Sequence, residues 1–458
     1  MIHFKLNNFR AIGSAEIDIK GITVVSGENG SGKSTLSRLL YNTFNISNTY
    51  DVIIKRMLRR KLHEATNILH SFLRTLKDVD SNLHGGTIDS TNTWMRRSSQ
   101  ALLWIKNNED IHVYQDKILG AIEQVQHRTT SLYEMNAWHD DKVDQIRDIE
   151  LSLSRMADFI YQQTNIYIDR EDVSALFEAF ERYVLDEINR AAEQIEYRPI
   201  DIFAKELSSL FSQRIDTINF DLYESGHYVT NWQDMTLGVC NDIYNCIYID
   251  TPMAIGHETI YDSYWDGLTD LLKKKRIDVS ETSSEKDLIA SILSGDAVLN
   301  GQTYYDDSSI DEMFVYRRND GSTFDLTECA TGIKAFSIIQ MLLQNGYIDK
   351  NTLLIVDEPE VHLHPQWIVE YARLIVLLNK ILGVKVFIAS HNPDMVSAIR
   401  YISEKEGTLD QVDFYLAEKK DSDYTYNYTY LESDIEPIFA SFNIALDRIN
   451  QYGTIEQE

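Results

Sequence analysis

Residues 27–35 read Gly-Glu-Asn-Gly-Ser-Gly-Lys-Ser-Thr and meet the pattern G-x-x-x-x-G-K-[ST] at every fixed position. No other stretch constrains the fold as tightly, because such a loop works only between a buried strand and a helix. Ile22, Thr23, Val24 and Val25 before it read as the strand, and the residues from Leu36 to Leu40 continue as the helix. Gly27, Gly30 and Gly32 let the backbone wrap an anion, so that N–H groups around Asn29 and Ser31 and the positive helix end face a β-phosphate. Lys33 then adds charge between β- and γ-phosphates, the Ser34 hydroxyl is placed to ligate Mg²⁺, and Thr35 completes the set. The ligand implied is ATP with Mg²⁺.

The chain has 458 residues, enough for one large nucleotide-binding domain and a second compact unit. Hydrophobic residues at 43% and charged residues at 25% are those of a soluble globular protein. No uncharged apolar run approaches the ~20 residues of a membrane span. The first residues read as a strand rather than a leader peptide, which with the ATP site gives a cytoplasmic expectation. Cys240, Cys246 and Cys329 match neither a zinc site nor a disulfide framework. The formal net charge of −28 repels polyphosphate unless cations are gathered locally. Two short basic clusters, residues 55–61 and 273–276, read first as solvated helix faces and second as nucleic-acid contacts.

Three strands are expected before the loop ends, the first two over residues 2–6 and 15–19. Beyond Lys33 the breakers vanish: up to Gly226 the only glycines are Gly85, Gly86 and Gly120, and the first proline is Pro199. Ile118, Ile122 and Val125, then Val143, Ile146, Ile149, Leu153, Met156 and Ile160, recur at helical spacing. A helical insertion is therefore expected over residues 48–215, with a turn at Gly85-Gly86. It divides the rest of the chain into residues 1–47 and 216–458. A strand over 246–250, a hairpin over 312–326 and a helix over 333–344 follow. Residues 352–357, 367–382 and 385–389 then read as strand, helix, strand. Fully apolar strands around a helix mean a parallel sheet covered on both faces. Residues 412–416 and the tyrosine row 424–430 read as edge strands; the row suggests an aromatic platform for bases, or a hairpin packing one aromatic face on a helix.

The strand ending at Asp357-Glu358 delivers two acids where ligands of open α/β sheets collect. Asp357 is placed to hold Mg²⁺ and Glu358 to position an attacking water.

Residues 358–365, Glu-Pro-Glu-Val-His-Leu-His-Pro, resemble the segment after the second acid in the RecF/Rad50/SMC-like branch of ABC ATPases. That branch includes the OLD nucleases and related prokaryotic defence ATPases. Residues 390–393, Ser-His-Asn-Pro, look like its switch-histidine segment, and residues 326–334 occupy the place of its signature. Thr331-Gly332 stands for the usual Ser-Gly, and Ile333 departs from the usual polar residue. The resemblance covers about residues 1–45 and 235–445 and leaves the insertion outside. It implies an ABC-ATPase head, an α/β fold with a mixed, largely parallel sheet. It further implies that two copies sandwich two ATP molecules, Thr331 and Gly332 of one binding the γ-phosphate held by the other. Hydrolysis is then slow and switch-like, with Glu358, His391 and Lys33 as the catalytic set. His362 and His364 read as structural at the seam between copies, lacking a third metal ligand. Gln233 is the candidate for the family's Q-loop glutamine. Arg10 has two readings, a contact near base or phosphates and a plain surface arginine.

The same resemblance extends to the ATPase subunit of Septu-type and retron-associated antiphage systems. Its implied partners are a second copy of the chain, in a dimer or higher homo-oligomer, and a separately encoded effector, a nuclease restrained by nucleotide state. A fused nuclease is not expected from the 67 positions after His391. The alternative is an SMC/RecF-like repair ATPase that clamps DNA directly, against which the charge balance argues.

Overall fold

The computed structural model describes residues 1–83, 105–136, 143–212, 219–250, 255, 263–276, 284–295, 298–308, 312–361, 363–420 and 424–440. The chain divides into two compact units, Met1–Asn48 with Ile200–Glu458, and Thr49–Pro199.

The first unit begins with strands β1 (Ile2–Phe9), β2 (Ile12–Ile19) and β3 (Ile22–Gly27) and helix α1 (Lys33–Asn48). The second unit holds helices α2 (Tyr50–Leu83), α3 (Ile111–Asn136), α4 (Val143–Thr164) and α5 (Val173–Tyr197). The first then resumes with α6 (Ile200–Phe211), β4 (Asn219–Glu224), β5 (His227–Tyr228), β6 (Thr230–Asn231), β7 (Thr236–Leu237) and β8 (Asn245–Ile249). Helices α7 (Ser263–Lys273) and α8 (Ser284–Ser294) precede a three-stranded sheet of β9 (Gly301–Asp306), β10 (Met313–Arg318) and β11 (Thr323–Asp325). The unit closes with α9 (Thr331–Gln344), β12 (Thr352–Asp357), α10 (Pro365–Leu382), β13 (Lys385–Ala389), α11 (Pro393–Glu406), β14 (Val412–Lys419) and β15 (Tyr426–Glu432).

Ten strands form one sheet in the order β5-β4-β1-β2-β15-β14-β3-β13-β12-β8. The run β14-β3-β13-β12-β8 is parallel throughout, while β1, β2, β4 and β5 pair antiparallel. This is the mixed α/β architecture expected. Every residue of β3 and β12 is buried, because helices cover both faces of the parallel run. Ile22, Val24, Leu354, Val356, Val386 and Ile388 share one core with Phe336, Ile339, Ile375 and Met395 of α9 to α11. Helix α1 lies against β8, β12 and β13. Each such buried side chain contributes about 1.5–3 kcal/mol. Two expectations change. Strands β14 and β15 are interior, not edge, because β14 pairs with β3 and β15 with β2. Helix α6 falls within the insertion expected over residues 48–215 but belongs to the first unit. Its apolar side buries Ile202, Phe203 and Leu207, with Phe203 packed on Phe220 and Trp232.

In the second unit Leu58, Leu62, Ala65, Leu69, Phe72 and Leu76 form one buried stripe on α2, the 3–4 spacing of an amphipathic helix. Phe72 meets Phe177, and Phe159 meets Phe180 and Tyr183. The turn expected at Gly85-Gly86 lies outside the described residues. Much of the basic cluster on α2 is spent within the unit. Lys55 donates to Asn107 O, Arg59 to Ile105 O and Asn107 Oδ1, and Lys61 to the buried Glu187. The second cluster is likewise engaged in its own unit: Lys273 lies over Tyr305, Lys274 faces Asp270 and Arg276 faces Asp349. No helix of the described residues is long and apolar enough to cross a membrane.

Candidate nucleotide site

The parallel register brings three strand ends level. Asp357 of β12 pairs with Ala389 of β13, and Ala389 with Val25 of β3, so the loops after all three open at one carboxyl edge. Between β3 and α1 the chain turns through Gly30 at φ +83° and Gly32 at φ +97°, left-handed positions that favour glycine. At Gly32 space forbids a side chain as well, since a Cβ would stand 2.7 Å from Ile12 Cγ1. The tyrosine row reaches this loop: Tyr428 donates its hydroxyl to Ser31 O at 3.2 Å. The row does form the expected hairpin with β14, paired antiparallel, but inside the sheet and not at its edge, and there Tyr428 braces the loop where a base platform would leave it exposed. Glu28, Asn29 and Gly30 form the exposed crest of the loop.

Lys33, the first residue of α1, folds back so that Nζ donates to Gly27 O at 2.9 Å and Glu28 O at 3.0 Å. Burial lowers its pKa, and the carboxylates of Glu358, Asp357, Glu360 and Glu28 oppose that fall. Asp357 accepts from the Tyr248 hydroxyl at 3.0 Å through Oδ2, while buried Oδ1 has no hydrogen-bond partner among the described residues. Burial pushes the Asp357 carboxyl up to about 6, against the hydrogen bonds of Ser34 and Tyr248. The Ser34 hydroxyl and Asp357 thus meet, as a shared cation requires. An orphaned buried carboxylate oxygen beside a hydroxyl is the oxygen donor set that suits Mg²⁺.

Glu358 has φ +50°, an uncommon conformation for a side chain of its size, and its N–H donates to Ala389 O at 2.8 Å. The turn aims its carboxylate along the sheet edge, where His391 Nδ1 stands 3.4 Å from Oε1. Asn392 caps α11 by accepting from the N–H groups of Asp394 and Met395, which fixes the turn carrying His391.

Thr331 and Gly332 are placed differently. They open α9, whose N-cap Ala330 offers no side-chain hydrogen bond, and a Cβ on Gly332 would stand 2.0 Å from Trp367 Cε3. Close packing on α10 therefore explains that glycine without any ligand. Arg10 does not reach toward phosphates: it donates to Phe211 O at 2.6 Å and stacks over Phe9 and Phe211. Gln233 sits exposed in the turn joining β6 and β7, its N–H on Asn231 Oδ1. His364 is the N-cap residue of α10, His362 lies outside the described residues, and no cluster of metal-binding side chains occurs among the described residues.

Three residues at this edge escaped the sequence reading. Tyr248 lies 109 positions from the acid it bonds, so nothing local marks it. Tyr428 was visible only as one of a row. Glu360 stood in plain view beside Glu358, and its 6% exposure is what distinguishes it from a surface acid.

A family model described as an AAA ATPase domain matches residues 1–396. No curated protein matches the chain. Among solved structures it is similar to an Smc head domain with an extended coiled coil, bound to the C-terminal domain of ScpA, from Pyrococcus furiosus. Identity there is 11%, 99% of this chain and 100% of that chain are covered, and the TM-score is 0.31. An SmcHead bound to the C-winged helix domain of ScpA gives 11% identity, 94% and 97% coverage and a TM-score of 0.35. The SMC head domain from Thermotoga maritima gives 13%, 47% and 65%, and 0.27.

Proposed function

The chain belongs to the AAA ATPase domain family, and from that premise we propose that it is an ABC-type ATPase that binds and slowly hydrolyses ATP as a dimer, regulating a separate effector. The observation that carries this reading is the meeting of Lys33, Ser34, Asp357, Glu358 and His391 at one sheet edge, with Thr331 and Gly332 on another element. In this reading the loop N–H groups and Lys33 bind the β- and γ-phosphates, and Ser34 and Asp357 hold Mg²⁺. The cation, when bound, offsets phosphate charge. Glu358 orients the water and accepts its proton, His391 faces the γ-phosphate, and the first turn of α9 from a second copy completes the site.

ATP turnover per chain tests this reading. It is expected to rise with protein concentration, since a site shared by two copies forms only on their encounter; turnover independent of concentration would remove the dimer. The effector is proposed to be a nuclease, in an antiphage setting, and copurification with the products of neighbouring genes tests that part. Direct DNA clamping remains the second reading. Against it stand the charge of −28 and the basic side chains of both clusters that are engaged within the chain.

The raised Asp357 carboxyl has a pH consequence. Because its pKa of about 6 lies above the ordinary 3.8, the protonated form is favoured in the folded chain, and ionisation is completed only as pH rises through 6. The stability that this proton confers is present below about pH 4 and lost as pH climbs through 6. Mg²⁺ needs the ionised form, so its affinity in the presence of ATP is expected to drop roughly tenfold between pH 7 and pH 5. Titration with Mn²⁺ by electron paramagnetic resonance measures this directly.

A further inference from the structure

Glu360 is a buried carboxylate that the proposed chemistry does not use. Its Oε1 accepts from the Ser390 hydroxyl at 2.8 Å and from the His391 N–H at 3.1 Å. The same oxygen lies 3.5 Å from His391 Nδ1, almost as close as the 3.4 Å between Nδ1 and Glu358 Oε1; neither approach is a hydrogen bond, and Nδ1 is buried without one among the described residues. Its other oxygen, Oε2, is buried and without a hydrogen bond among the described residues. His391 is the only cationic-type side chain within 4 Å of Glu360 among the described residues.

These facts do not suit a purely structural acid. Leaving a carboxylate oxygen unsatisfied in the interior costs on the order of 1–3 kcal/mol, and a glutamine of the same shape could accept the same two hydrogen bonds at Oε1 without burying charge. What glutamine could not provide is a second acidic face for the imidazole. The peptide geometry makes that face specific: Glu360 grips the backbone of the residue whose ring it also faces, so ring and turn are set by one group.

We propose that Glu360 is a positioning residue for His391, holding the imidazole in the Nδ1–H tautomer against Glu358 and leaving Nε2 to face the nucleotide. Two carboxylate oxygens near Nδ1 accept and do not donate, so the proton belongs on Nδ1. This deepens the ATPase reading and rests on it.

The test is Glu360→Gln in the full chain, with two readouts. For MgATP turnover, kcat is expected to fall about ten- to a hundredfold, the range for losing an outer partner that orients a functional histidine, while KM stays within about twofold. The melting temperature should match or exceed the parent's, which separates this from misfolding. In ¹⁵N-histidine spectra, the His391 signals, assigned by their loss in His391→Gln, should report Nδ1–H in the parent and move toward Nε2–H in Glu360→Gln. Parental kcat in a folded variant overturns the proposal. So does a loss of kcat with unchanged His391 signals, because Glu360 would then act through another group. If the parent itself hydrolyses no ATP, the ATPase reading fails, and the tautomer shift alone decides for or against Glu360.

Discussion

Lys33→Ala is expected to weaken ATP binding by about two orders of magnitude or more while leaving the fold intact. Nζ donates to Gly27 O and Glu28 O, and both belong to the loop that a phosphate would reorganise. Charge-assisted hydrogen bonds are worth about 1.5–3 kcal/mol each, and Lys33 makes more than one to a bound polyphosphate. Its removal also leaves Asp357, Glu358 and Glu360 facing the incoming phosphates without a counter-charge. Stability should move little, since a partly desolvated ammonium is lost together with its hydrogen bonds. Isothermal titration with MgATP, alongside thermal melting, reads both parts. Parental affinity in a folded Lys33→Ala protein would mean that the nucleotide binds elsewhere.

Glu358→Gln is expected to do the opposite to binding, keeping ATP bound while turnover drops by about 10²–10⁴-fold, the contribution of a positioned general base. Glutamine keeps the length and can keep the left-handed backbone, whose N–H bond to Ala389 O is independent of the side chain. What disappears is the ability to take a proton from water. A dimer joined through nucleotide should then persist, visible by light scattering as a doubling of mass with ATP that ADP does not produce. Hydrolysis at the parental rate would show that Glu358 is not the base.

Strands, helices and the phosphate loop could be read before any coordinates because each has a local physical cause. Apolar residues throughout 353–356 require a strand covered on both sides, and the loop pattern requires a strand before it and a helix after it. Strand β13 over Lys385–Ala389 and helix α10 ending at Leu382 fall where periodicity put them. The tyrosine row misled, because alternation shows only that one face is covered. It does not report which strand lies alongside. That β15 lies between β2 and β14, with Tyr428 under the loop, depends on pairing across the chain. Arg10 shows the same limit: its neighbour Phe211 is 201 positions away.

From the sequence alone came the chemical identity of the site: an anion-wrapping loop, a lysine, two acids on a strand end and a histidine on the next. Those depend on residue types at short spacing, which the backbone turns into geometry locally. Only the tertiary structure decided that Asp357 keeps a buried oxygen free beside Ser34, that Gly332 is packed under Trp367, and that Glu360 is buried against His391 rather than solvated. Burial and orphaned polar atoms are properties of how distant segments exclude water from one another, and no local pattern encodes them.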